Sequence, residues 1–420
     1  MKESLKEIRK RYEEFKGSGL SLNMERGWPS REQLDLSMPM LSLIDENTEL
    51  CREVDYRGYA GTGGIEPLKQ IFAEILDVKS DEIYIGGTMS TTIMYDIVNK
   101  AVLFGLDGHT PWKNVHNVKF LCPSPGYEKH FNICKTFGIE MIPVAMFDDG
   151  PDMDEVERLA AEDENVKGIW CVPLYSNPTG TIYSENTVIR LASLQAKAED
   201  FRIFWDNAYC VHHLTDEKTV LKNIIRECEK YGFPNRAFEF TSTSKITFPG
   251  GGVGICASSV DNIKWLTEKS LLQLKSGDKI NQLRHFLFLK DKAGVEEHMK
   301  HHRAIIAPKF DLVDRILHEE LGEWNIASWN KPKGGYFISV KLKPGMARKV
   351  WSRCRQTGVT ITPAGSTFPY GKDAEDAYLR IAPTYLSMGE LEKAMRVLCI
   401  AVKLEYLLDN QQGKENGIED

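Results

Sequence analysis

The chain has 420 residues, 60 acidic against 53 basic, for a formal net charge of -7. An acidic excess argues against a nucleic-acid partner, which calls for a basic face, and no run approaching about 18 apolar residues offers a membrane span. Hydrophobic residues at 42% and charged residues at 27% make the mix of a globular chain, long enough for two or more domains.

Taken in order, the first fifteen residues, MKESLKEIRKRYEEF, alternate charge with sparse apolar positions and lack the apolar run of a signal peptide. Nine cysteines (51, 122, 134, 171, 210, 228, 256, 354 and 399) are odd in number and scattered, with no Cys-x-x-Cys pair. Neither a disulfide framework nor a structural zinc site is expected, and the expected compartment is the reduced cytoplasm. Between about 80 and 260, short apolar runs at 82–86, 119–122, 140–146, 168–174, 201–205, 237–240 and 254–257 alternate with helical patterns such as 92–106, 184–198 and 218–230. This alternation predicts a mostly parallel seven-stranded sheet sandwiched by helices, an α/β fold. Beyond 300 the pattern changes to a helix over 304–321, strands at 335–340 and 378–381, and a helix over 388–408, which together read as a smaller α+β lobe. The expected domains are 45–300 for the large one and 1–44 with 301–409 for the small one, followed by a polar, disordered tail at 410–420.

In open α/β sheets ligands bind beyond the carboxyl ends of the strands, so the residues just past the apolar runs are the informative ones. These are Gly86-Gly87-Thr88-Met89-Ser90, Pro123-Ser124-Pro125-Gly126-Tyr127, Tyr175-Ser176-Asn177-Pro178-Thr179-Gly180, Asp206-Asn207-Ala208-Tyr209 and Thr241-Ser242-Thr243-Ser244-Lys245. A Ser/Thr turn opening a helix suits a phosphate, an aromatic stacks on a flat ring, and a strand-end carboxylate can hold a pyridine nitrogen protonated. An Asn amide and a phenol can bond a ring oxygen, and a lysine can form a Schiff base.

With Asn-Pro-Thr-Gly, Asp-x-Ala-Tyr and Ser-x-Ser-Lys in that order, the chain resembles the fold-type I pyridoxal-phosphate aminotransferases along nearly its whole length. The similarity is strongest to a bacterial branch with aspartate aminotransferase activity. The resemblance implies pyridoxal 5'-phosphate as cofactor, with Lys245 as the lysine that bonds it and shuttles the proton. Asp206 is implied at the ring nitrogen, Asn177 and Tyr209 at the ring oxygen, and Tyr127 stacked on the ring. Thr88, Met89, Ser90 and Ser242 are implied at the phosphate, together with Tyr59 from a partner subunit. Arg380, with Asn177 and Pro39 beside it, is implied at the substrate α-carboxylate. The implied reaction transfers an amino group between an amino acid and a 2-oxo acid, aspartate and 2-oxoglutarate foremost, in a homodimer with its sites at the subunit interface. Lys275, Lys279, Arg284 and Arg26 are the candidate cations for a distal carboxylate, and no spacing chooses among them. One departure stands out: the phosphate arginine that the family usually carries shortly after the lysine is replaced by glycine around Gly252. A pyridoxal-phosphate lyase on the same scaffold and a non-catalytic effector-binding module are the alternatives.

Two other patterns are set aside. The glycines at 58–64 loosely suggest a dinucleotide loop, but no suitable strand precedes them. His298 and His302 share a helical face at a spacing zinc sites use, yet no third ligand is identifiable, so no metal is expected.

Overall fold

A computed structural model describes residues 3–49, 55–59 and 61–415; Cys51 lies outside them. The short strand β1 (Leu22–Met24) comes first. Next come β2 (Ile83–Ile85), β3 (Lys119–Ser124), β4 (Glu140–Phe147), β5 (Gly150–Pro151), β6 (Val166–Cys171), β7 (Arg202–Asp206), β8 (Ala237–Ser242) and β9 (Gly254–Ala257). These eight form one sheet in the order β2-β9-β8-β7-β6-β3-β4-β5. Its centre is parallel, while β9 runs antiparallel to both neighbours. All seven predicted strands are present. The eighth, β5, is a two-residue edge that turns back antiparallel on β4.

The central strands are buried from end to end because both faces are covered. Along β7, Ile203 and Trp205 enter one core with Leu121 and Ile169, while Phe204 packs on the other face with Phe120, Trp170, Phe238 and Phe240. The period-two alternation of the strand thus fills two layers at once.

Five described strands lie outside this sheet: β1, β10 (Ala327–Trp329), β11 (Ile338–Leu342), β12 (Val359–Ile361) and β13 (Tyr378–Ile381). β1 pairs with β12, and β10-β11-β13 make an antiparallel sheet. A further core collects here, from Ile8 and Tyr12 at the start of the chain to Leu398 and Val402 near its end.

The helix Lys292–Leu321 links the two cores: Val295 and Met299 lie in the first, Phe310 and Val313 in the second. It starts twelve residues before the predicted 304 because the Asp291 side chain accepts from Gly294 N–H and caps it. The helix predicted over 218–230 begins only at Ile224, where the Asn223 side chain caps the N–H groups of Ile225 and Arg226. The last helix, Met388–Glu415, continues past Leu408, so residues 410–415 of the predicted tail are helical. Gln, Lys and Glu there are adequate helix formers once a helix is nucleated. Residues 416–420 lie outside the described ones.

Candidate active site

A cleft of about 420 Å³ opens at the carboxyl ends of β3, β6, β7 and β8, walled on its far side by residues of the smaller lobe. Asp206 ends β7 with only 3% of its surface exposed. Its Oδ2 is 3.0 Å from His130 Nε2, whose ring stacks on Trp170 at 4.4 Å. Oδ1 is buried and has no hydrogen-bond partner among the described residues. A buried carboxylate oxygen left without a donor is costly, and a protonated ring nitrogen is one group that could satisfy it.

After β8 the chain tightens into a 3-10 turn, Thr243–Lys245, which aims Lys245 into the cleft. Threonines fix this turn: Thr243 Oγ1 accepts from Val253 N–H at 2.9 Å, and Thr247 Oγ1 donates to Thr243 O at 3.1 Å. Behind it, Tyr336 donates to Lys245 O at 3.4 Å and receives the Gln33 amide at 2.8 Å. Lys245 Nζ stands 5.3 Å from the Tyr209 ring centroid. Burial pushes its ammonium pKa below the ordinary lysine value, against the opposing pull of Asp206 and Glu128.

Gly126 lets the chain turn sharply after β3, since a Cβ there would meet Pro123 O at 2.5 Å. The turn delivers Tyr127, which lines the cleft and precedes the helix Glu128–Thr136. Met89, Ser90, Ser242 and Ser244 also line the cleft, with Ser90 opening the helix Ser90–Phe104 and Ser242 Oγ 2.8 Å from Ser244 Oγ. Helix N–H groups and hydroxyls of this kind suit a phosphate. Thr88 sits one residue outside the lining set, its carbonyl turned toward the glycine loop.

That geometry accounts for Gly252. A Cβ at 252 would lie 2.9 Å from Thr88 O and 3.1 Å from the Ser244 backbone, and one at 254 would lie 2.7 Å from both Gly86 O and Met89 O. The backbone behind the cradle approaches too closely for a side chain at either position.

Arg380 rises from β13 and lines the opposite wall with 4% exposure. Its Nε donates to Thr362 Oγ1 at 3.0 Å, and Nη1 donates to Asn177 Oδ1 at 3.1 Å. Nη1 and Nη2 also donate to Glu128 Oε2 and Oε1, at 2.5 and 3.1 Å. With Asn177 Oδ1 held by the arginine, the Asn177 amide nitrogen is left as a donor in the cleft.

Lys245, Asp206, Asn177, Tyr209, Tyr127, Met89, Ser90, Ser242 and Arg380 therefore line one cleft. Pro39 does not. It is exposed on the 3-10 turn Met38–Ser42, because buried Ser37 anchors the preceding residue toward His298 and Ile246 O; Glu25 to Pro29 line the cleft instead. Tyr59 points away from its own cleft with 84% of its surface exposed, near Lys275. Of the four candidate distal cations only Arg26 lines the cleft. Lys279 is buried at the start of another helix, and Arg284 bonds Asn281 beside the glycine loop. His298 and His302 bond each other at 3.1 Å and reach Ile246 O and Gln33, a polar brace behind the lysine turn.

The sequence reading did not single out Glu128 and His130. Their signal was position: they stand one and three residues past a strand-end aromatic, at a helix start. Thr362 and Phe337, under the Arg380 guanidinium at 4.6 Å, carried no signal in the sequence.

A larger cavity, of about 460 Å³, lies behind the same strands with Trp205, Asn207 and Glu239 among its lining residues. It holds neither Lys245 nor Asp206 nor Arg380, so the chemistry resides in the smaller one.

A family model described as aspartate amino-transferase matches residues 1–412. A putative aminotransferase of Mycolicibacterium smegmatis is 46% identical over 388 residues, 91% of each chain. An aspartate aminotransferase of Corynebacterium glutamicum is 41% identical over 400 residues, 95% of this chain and 92% of that one. The crystal structure of an aspartate transaminase from Corynebacterium glutamicum superposes with a TM-score of 0.94 at 40% identity, covering 96% of both chains.

Proposed function

The chain belongs to the aspartate amino-transferase family, and from that premise we propose that it uses pyridoxal 5'-phosphate to move an amino group between aspartate and 2-oxoglutarate. The observation that carries this reading is the convergence of an amine, an orphaned carboxylate oxygen and an arginine fork, those of Lys245, Asp206 and Arg380, in one cleft. The residues fit the cofactor. Asp206 Oδ1 awaits a donor at the ring nitrogen, Asn177 and Tyr209 stand for the ring oxygen, Tyr127 for the ring face, and Thr88, Met89, Ser90 and Ser242 for the phosphate. When bound, the cofactor supplies an aldehyde that condenses with amines and an electron-poor ring that acidifies the substrate Cα–H.

The protein does the rest. Asp206 would hold the ring nitrogen, and the His130 contact at 3.0 Å steadies its carboxylate. Lys245 is the proton carrier. Burial lowers its ammonium pKa and so raises the share of neutral amine, which suits Nζ to take the α-proton and later return it. Arg380 holds the α-carboxylate in a two-pronged grip, steadied by Thr362. Through Asn177 the same arginine touches the cofactor end of the cleft, which ties substrate seating to ring orientation. Arg26 is the distal-carboxylate partner within this chain, which favours a dicarboxylic amino acid.

The enzyme works as a homodimer with its sites at the interface. Supporting this are the exposed Tyr59 and the apolar surface of Leu271, Leu272 and Leu274, exposed by 53%, 70% and 41%. This surface is joined to the Tyr59 loop through the Gly61–Ser276 bridge. Among the described residues no helix is long and apolar enough to cross a membrane, and the eight described cysteines are free, in keeping with a cytoplasmic setting.

Spectroscopy tests the reaction type. Aspartate should bleach the yellow band of the loaded protein and 2-oxoglutarate should restore it. Bleaching with ammonia release and no restoration marks a lyase, and binding without turnover marks an effector module.

A further inference from the structure

The arginine assigned to the substrate is already holding a carboxylate. All three nitrogens of the Arg380 fork are engaged: Nε by Thr362, Nη1 by Asn177 and Glu128, and Nη2 by Glu128. The Phe337 ring covers one face of the guanidinium at 4.6 Å. A guanidinium has two edges that can grip a carboxylate with parallel bonds. Here one edge is blocked at Nε by Thr362 and the other is filled by Glu128.

Glu128 is also mounted to leave. It is the first residue of the helix Glu128–Thr136, so it stands at the mouth of the cleft. Its side chain is 27% exposed against 3% for Arg380, so the carboxylate covers the arginine from the open side. Burial pushes its carboxyl pKa up, but the charge and hydrogen bonds of Arg380 outweigh burial and bring it below the ordinary glutamate value. The group is therefore seated as an anion, the same species as a substrate carboxylate.

On the reading that Arg380 binds the substrate α-carboxylate, we propose that Glu128 is a displaceable carboxylate plug. It fills the substrate's place on Arg380 in the empty cleft and yields it to entering amino acids and 2-oxo acids. The exchange spares the protein an unpaired buried guanidinium, which is strongly destabilising, and each substrate swaps one carboxylate for another. The cost is affinity: every carboxylate ligand must first break the Glu128 bonds. A dicarboxylate with a second hold at Arg26 overcomes this more readily than a simple monocarboxylate, whose binding is kept weak.

The test compares the wild-type protein loaded with pyridoxal phosphate with Glu128→Gln, Glu128→Ala, Arg380→Ala and the Arg380→Ala/Glu128→Gln double variant. Equilibrium binding of propionate is measured by calorimetry, alongside KM for aspartate and binding of butylamine, which has no carboxylate. With the plug removed, propionate binds about tenfold tighter and KM for aspartate falls by a similar factor, the size of one charge-assisted hydrogen bond. Butylamine binding stays the same, and the gain vanishes in the double variant. If Glu128→Gln and Glu128→Ala both weaken propionate while Arg380→Ala weakens it too, Glu128 merely holds the arginine in place. The plug is then wrong and the Arg380 assignment stands. If Arg380→Ala leaves propionate and aspartate unchanged, the Arg380 assignment itself is wrong and the plug falls with it.

Discussion

The two ends of the cleft are built on opposite principles. At the end proposed for the cofactor, Asp206 is deeply buried with one oxygen held by His130 and the other without a donor among the described residues. At the end proposed for the substrate, Arg380 is as deeply buried but has all three nitrogens bonded, by Thr362, Asn177 and Glu128. A group meant to stay gains from a site that is unsatisfied without it, because leaving then restores the penalty. A ligand meant to turn over gains from a site that closes on itself each time the ligand departs.

Removing the proton carrier should break the cofactor end most severely. Lys245→Ala is expected to lower kcat by about 10⁴-fold, the upper range for loss of a positioned acid–base group, while propionate still binds at the other end. Single-turnover mixing with aspartate measures the first, calorimetry the second. Asp206→Asn keeps the shape and removes the charge. A loss of about 10²-fold in kcat is expected, with propionate affinity unchanged.

A pair of buried carboxylates sharpens the contrast. Glu128 has a guanidinium beside it and titrates low, whereas Glu239 has only the Asn207 amide at 2.8 Å, and burial pushes its pKa up to about 7. In the unfolded chain Glu239 loses its proton near 4.5, in the folded one near 7. Across that window the folded state binds more protons, so stability falls as pH rises and levels off above about 7. Glu239→Gln, which can still accept from Asn207, should therefore stabilise the protein by roughly 3 kcal/mol at pH 8. It should give nothing near pH 4. Urea unfolding at the two pH values checks both the size and the sign.

The smallest effect is expected at Thr362→Val. Losing one neutral acceptor from a charged donor should raise KM for aspartate about fivefold and leave kcat nearly unchanged. A fall in kcat of the same size would show that Thr362 matters to the cofactor end as well.

Much of the end proposed for the cofactor was legible in the sequence because its groups sit on or just past strand ends. A buried run such as 201–205 announces the strand, and the residue after it, Asp206, is polar where the apolar pattern stops. The same logic located Tyr127, Asn177, Ser242 and Lys245. The substrate end was legible only through Arg380 itself. Thr362 and Phe337 come from separate segments of the smaller lobe, and no local pattern ties a threonine at the end of one strand to an arginine on another. Pro39 failed for a related reason: whether a loop residue faces the cleft is decided by a distant anchor, here Ser37 on His298. Glycines 252 and 254 looked like the loss of a cation, and only the packing of Thr88 O and Met89 O against them gives them a positive role.

The most direct measurement is chemical. The protein loaded with pyridoxal phosphate is reduced with borohydride, digested and mapped by mass spectrometry. The phosphopyridoxyl mass should appear on Lys245, in the peptide containing Ser242 and Ser244, and be absent from Asp206→Asn protein only to the extent that loading is weaker. A stoichiometric label on any other lysine, with Lys245 unmodified, would contradict the account at its centre.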